Sequence, residues 1–247
     1  MPAPSRDLRR IAPFLALCLL LGGCVYLRLL ELKHQLADFD RYFAVNETDG
    51  LAFTLKKPVL LTDDMAFLEV APESVDQLGA AMRWHLRWIK DYAVAGEKAA
   101  DYQVTADFTF IDGKLARVHL PERVFSFVQK SLVLQALRSL GHASIDKSKH
   151  SASTALNPLG LTPLTRADLL RFLGVPLDTH HDGSRLLMHY RYTNVCTTQA
   201  PGKIDFIFTL DAGTQTVVHL EGTLFHDTLH FDWPALKSAQ PATADKQ

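Results

Sequence analysis

The sequence predicts an α+β protein: a tandem repeat of α-α-β-β-β units, with helices packed on one face of antiparallel sheet. Three observations carry that expectation. Blocks of sequence recur in the same order in the two halves of the chain. Within each half, apolar residues step first at helical spacing and then alternate as in strands. Turn signals, Asp112-Gly113 in one half and Asp211-Ala212-Gly213 in the other, separate the alternating runs as hairpins require.

The recurrence can be read residue by residue. "RWHLRW" (83–88) returns as "LMHYRY" (187–192), so His85 and His189 stand 104 apart, as do Arg87 and Arg191. "LTDDMAFLEVAP" (61–72) returns, with a gap, as "LTRADLLRFLGVP" (164–176). "DFTFIDGKLARVHL" (107–120) returns as "DFIFTLDAGTQTVVHL" (205–220). The expected division is a leader at 1–23, one unit at 24–122, a second at 123–235 and a disordered tail at 236–247.

The leader comes first. Arg6, Arg9 and Arg10 precede an apolar run of 11 residues, Ile11 to Leu21, and the small residues Gly22 and Gly23 follow. That layout fits a secretory signal, and the run is short for a membrane span of about 20 residues. Leu21-Gly22-Gly23-Cys24 resembles the bacterial lipobox. The resemblance implies cleavage between Gly23 and Cys24 and acylation of the Cys24 thiol. Val25 stands where Asp would signal inner-membrane retention, so it further implies an outer-membrane anchor facing the periplasm. A signal anchor from Ile11 through Leu30, with Arg28 snorkelling at its end, is the competing reading.

The first helix is expected after Cys24, where Val25, Leu29, Leu32, Leu36, Phe39 and Phe43 form one stripe. Its counterpart runs through Val124, Phe127, Val128, Leu132, Leu137 and Leu140 to a stop at Gly141. A short second helix is expected to begin at Thr62 in one half and at Thr165 in the other, where Asp168 completes the cap. Three strands follow in each half. Met82, Trp84, Leu86 and Trp88 alternate with Arg83, His85, Arg87 and Ile89, and Phe108 and Phe110 alternate with Asp107 and Thr109. "FHDTLHFDW" (225–233) reads as a closing strand, and the Ser-rich stretch 142–160 as a polar loop.

Leu173-Gly174-Val175-Pro176, the helix before it and the aromatic strand after it resemble the SmpA/OmlA family of small outer-membrane lipoproteins, which assist β-barrel assembly. Leu68-Glu69-Val70-Ala71-Pro72 departs from that pattern by losing the Gly. Paired units of this kind are also similar to those of the β-lactamase inhibitor protein. The resemblance implies a scaffold for contact with an envelope protein partner and names no partner.

The sites follow from strand alternation. If the aromatic residues face the helices, His85, Arg87, Asp107 and His119 share the opposite face, with His189, Arg191, Asp205 and His219 as their counterparts. Such a face could bind a partner, or it could be a solvated surface of cross-strand ion pairs. His226, Thr228, His230 and Asp232 would line one side of the closing strand, a weak pattern for a metal, and surface histidines there and at His180-His181 are the expectation. No metal, cofactor or catalytic residue is assigned: G-x-S-x-G, the P-loop, C-x-x-C and H-E-x-x-H are all missing. Cys196 reads as an inert thiol. With 26 basic and 27 acidic side chains, nothing points to nucleic acid. The expected function is a non-enzymatic, lipid-anchored interaction module in envelope assembly or maintenance. A carrier or sensor of lipids or small hydrophobic ligands is the alternative.

Overall fold

The computed structural model describes residues 25–91, 102–126, 128–146, 148, 151–156, 164–196, 202–224 and 227–233. The expected leader, with Gly23 and Cys24, and the expected tail lie outside these described residues, as does His226.

Helix α1 (Val25–Ala37) is followed by the single turn α2 (Phe39–Tyr42), then by strands β1 (Phe43–Asn46) and β2 (Leu51–Leu55). Helix α3 (Thr62–Phe67) leads into β3 (Ser74–Leu78), β4 (Ala81–Lys90), β5 (Gln103–Ile111) and β6 (Lys114–Leu120). After a 3-10 turn at Glu122–Ser126 come α4 (Lys130–Gly141), β7 (Ser144–Asp146), β8 (Ser151–Ala155) and α5 (Arg166–Leu173). The described chain ends with β9 (Asp178–Asp182), β10 (Arg185–Asn194), β11 (Lys203–Asp211), β12 (Val217–Leu224) and β13 (Asp227–Asp232).

All thirteen strands among the described residues belong to one sheet, in the order β1-β2-β6-β5-β4-β10-β11-β12-β13-β8-β7, with β3 on β4 and β9 on β10. The expected tandem of α-α-β-β-β units over antiparallel sheet is therefore wrong. The protein is mostly one large mixed sheet with few helices. The sheet is mixed because β8 runs parallel to β13, Ser153 opposite His230. Strands β1, β2, β3, β7, β8 and β9 form where no strand is expected. Phe43, the expected end of the first helical stripe, opens β1 instead, and Leu51, Phe53 and Leu55 of β2 are buried around it. β7 and β8 occupy the expected polar loop, because Ser and Thr side chains can sit on a half-exposed edge while their backbone completes the ladder.

The alternation in β4 and β10 sorts their side chains. Leu86, Met188, Tyr190 and Tyr192 are buried. Leu29 and Leu32 of α1, with Met65 of α3, pack on the Leu86 cluster, and Leu132 and Leu140 of α4, with Leu169 of α5, pack on the Tyr190 cluster. The Asp112-Gly113 turn has φ of 50° and 72°, the paired positive values of a tight hairpin that Asp and Gly tolerate. Thr165 caps α5: its hydroxyl accepts the Asp168 N–H at 3.2 Å, and Asp168 Oδ2 accepts the Thr165 N–H at 3.0 Å.

Two contacts tie the helices down. Gly141, inside the last turn of α4 and not beyond it, lies against the end of α1. A Cβ there would sit 2.1 Å from Ala37 N and 2.4 Å from Ala37 Cα. Deeper in, Arg28 of α1 makes a two-point pair with Asp64 of α3, its Nε donating to Oδ2 at 2.7 Å and its Nη2 to Oδ1. The Asp64 side chain is 3% exposed, and Oδ2 also accepts the Leu61 N–H at 2.8 Å. Burial pushes the Asp64 carboxyl up, but Arg28 and the Leu61 N–H outweigh it and hold the group below the usual carboxylate value.

Gly141→Ala is expected to cost about 2 kcal/mol of unfolding free energy, since the clash is with backbone that cannot rotate aside. Denaturant unfolding with an unchanged m-value checks it. Arg28→Met leaves the buried Asp64 charge unpaired and is expected to cost about 3 kcal/mol near neutral pH. Because the folded pKa of Asp64 is depressed, the pair's contribution is complete above the unfolded value of about 3.9 and disappears as pH falls through the lower folded one. The difference between parent and variant should therefore narrow in acid, read from denaturation midpoints over that range.

Candidate functional site

The polar face of the sheet is built by register. His85 of β4 pairs directly with Asp107 of β5, which pairs in turn with His119 of β6. His85 Nδ1 lies 2.7 Å from Asp107 Oδ1, and its Nε2 lies 2.9 Å from Asp76 Oδ2 on β3. A carboxylate can only accept, so both ring nitrogens of His85 donate, and the ring is held as imidazolium between two anions. Asp76 is the larger influence; with Asp107 it outweighs burial and raises the His85 pKa. His119 donates from Nε2 to the Asp49 carbonyl at 2.7 Å, while its Nδ1 stands 3.4 Å from Asp107. Arg87 turns away from this cluster to a two-point pair with Glu73, Nε to Oε2 at 2.8 Å and Nη2 to Oε1.

The second half is arranged differently. Asp205 of β11 stands opposite Arg191 of β10 and diagonal to His189. Its Oδ1 accepts both, from Arg191 Nε at 2.8 Å and His189 Nε2 at 2.5 Å. His219 is not part of this group. On β12 it pairs with Asp232 of β13, its Nδ1 2.7 Å from Asp232 Oδ1, and it stacks on the ring of His230 at 5.5 Å between centroids. His180 and His181 are exposed on β9.

The structure thus brings together His85, Asp107 and His119, and separately His189, Arg191 and Asp205. Arg87 and His219 join other partners. Glu73, Asp76 and Glu221 complete the face, and sequence reasoning missed all three. Glu73 and Asp76 come from β3 and the residue before it, a strand with no buried residue to mark it. Glu221 was within reach, because it lies two residues past His219 on one strand face.

These groups form cross-strand pairs that are partly exposed, each worth a fraction of a kcal/mol. His85 differs in having both ring nitrogens held by carboxylates. Its folded pKa is raised, so the stability it contributes is complete below the ordinary value of about 6.5 and disappears as pH rises through the elevated value. Asp76→Asn is expected to bring the His85 ring titration back toward the ordinary value, followed by NMR of the ring protons. An unshifted titration would show that Asp76 is not the main influence. Compared with family models, curated proteins and solved structures, the chain matches none.

Proposed function

We propose that the chain is a lipid-anchored protein of the bacterial envelope, held at the outer membrane through Cys24 and facing the periplasm. There it acts without catalysis, as an interaction module in envelope assembly or maintenance. The observation that carries the anchor is the surface beside it. Helix α1 opens on Val25, the residue after Cys24, and Tyr26, Leu27 and Leu30 are 63%, 45% and 44% exposed. Phe67 of α3 is 45% exposed and meets the Tyr26 ring edge-on at 5.4 Å. An apolar patch next to an acylated residue settles into the headgroup boundary and adds to the grip of the lipid chains. Among the described residues no helix is long and apolar enough to cross a membrane.

The polar face supports the interaction reading. A partner bearing both charge signs exchanges the internal pairs of His85, Arg87, Asp107, His119, His189, Arg191, Asp205 and His219 for intermolecular ones. Such exchange contributes specificity and encounter rate more than affinity. Among the described residues, the cleft beside Tyr102 lends the carrier alternative no comparable support. The apolar cleft between Tyr102, Val104, Phe172, Leu173 and Tyr192 encloses about 20 Å³, which admits one water and no acyl chain.

Cys24→Ser is expected to abolish incorporation of an alkyne fatty acid and to leave a precursor of full length on a gel. Labelling that persists in the variant overturns the anchor.

A further inference from the structure

Strands β12 and β13 place four side chains in a block on the polar face. His219 stands opposite Asp232 and Glu221 opposite His230, so the two imidazoles occupy one diagonal and the two carboxylates the other. One ligand atom from each of His219, Glu221 and His230 lies within 4.8 Å of the other two. His230 Nδ1 is 3.5 Å from His219 Nε2 and 3.7 Å from Glu221 Oε2. Both separations are long for a good hydrogen bond. They are close to the edge of a tetrahedron around a metal with ligand bonds near 2.0–2.1 Å, which is roughly 3.3–3.4 Å.

The protonation pattern points the same way. Asp232 accepts from His219 Nδ1 at 2.7 Å, so the proton of the neutral ring sits on Nδ1. Nε2 then carries the lone pair, and it faces His230. A carboxylate holding the far nitrogen of an imidazole is also the usual outer partner of a metal-bound histidine, fixing its tautomer and strengthening it as a donor. The His219, His230 and Glu221 side chains are 26%, 28% and 35% exposed, open enough for an ion to enter.

We propose that His219 Nε2, His230 Nδ1 and a Glu221 carboxylate oxygen bind one borderline divalent cation of the zinc type, with Asp232 orienting His219. Two imidazoles and a carboxylate suit such an ion and suit the harder Mg2+ or Ca2+ poorly. Three protein ligands leave a further coordination position for water or for a partner's donor atom. The ion would cross-link β12 and β13 near the far edge of the sheet. The proposal stands independently of the lipid anchor.

The test is titration of the full-length chain in detergent, free of added histidines, with Zn2+ against a chromophoric chelator. One saturable site per chain is expected. His219→Ala and His230→Ala should lose it, Asp232→Asn should weaken it by about 10–100-fold, and His142→Ala should leave it unchanged. Circular dichroism establishes that each variant is folded. NMR of the parent chain decides the matter even if a variant misfolds: stoichiometric Zn2+ should shift the ring signals of His219 and His230. The absence of saturable binding, equal affinity in folded His219→Ala or His230→Ala, or shifts confined to other histidines each overturns the proposal.

Discussion

The register between β4 and β10 is the constraint on which the rest of the sheet depends. Each of these ten-residue strands is paired along nine residues of one edge, β4 with β5 and β10 with β11. The other edge is shared. Residues 81–85 of β4 take β3 and residues 88–90 take β10, while residues 185–189 of β10 take β9 and residues 192–194 take β4. The junction is short, so its side-chain and flanking bonds matter. Asp91 N donates to Arg191 O and Val195 N to Arg87 O, each at 2.8 Å, while Thr193 Oγ1 donates to Asp91 at 2.7 Å. At its centre Ile89 pairs with Thr193, which is 104 residues further on, the same interval that separates His85 from His189.

That register fixes the two faces as well as the joint. Side chains alternate with period two, so a slip of one residue at the junction would invert one half of the sheet against the other. In the observed register Trp88 and Tyr192 both lie on the core side. Next to them the Lys90 ammonium is buried against the rings of Tyr102 at 4.8 Å and Tyr190 at 5.7 Å. The polar faces of the two halves consequently adjoin, and the His85 and Asp205 groups lie on one surface. The helices make a second tie across the halves, where Gly141 of α4 lets the chain approach Ala37 of α1.

The parts of this arrangement that were legible in the sequence are those whose signal is local. The alternation through Trp84, Leu86 and Trp88, the Asp112-Gly113 turn and the Thr165 cap each follow from a few adjacent residues. Strand pairing at a sheet edge has no such signature. β3 and β9 bury no residue, and Ser151–Ala155 forms a strand because the backbone of β13 is there to pair with it. The pairing of charges was only partly legible for the same reason. Alternation assigns a residue to a face, but register decides its neighbour. Asp107 therefore meets His85 head-on, while Asp205, 98 residues later instead of 104, slides to face Arg191.

Register likewise explains why the histidines of one face have different chemistry. At His85 both ring nitrogens face carboxylates, so the ring is a charged donor with no lone pair to offer. At His189 a single carboxylate oxygen is shared with a guanidinium, which competes for it. His219 alone of these three has one nitrogen held by a carboxylate while the other looks toward a second imidazole. A proton shared between the two facing ring nitrogens bridges them poorly at 3.5 Å. A cation with three open positions satisfies both and adds Glu221. The difference between an ion pair and a ligand set here is therefore a matter of register, since imidazoles and carboxylates are present in either case.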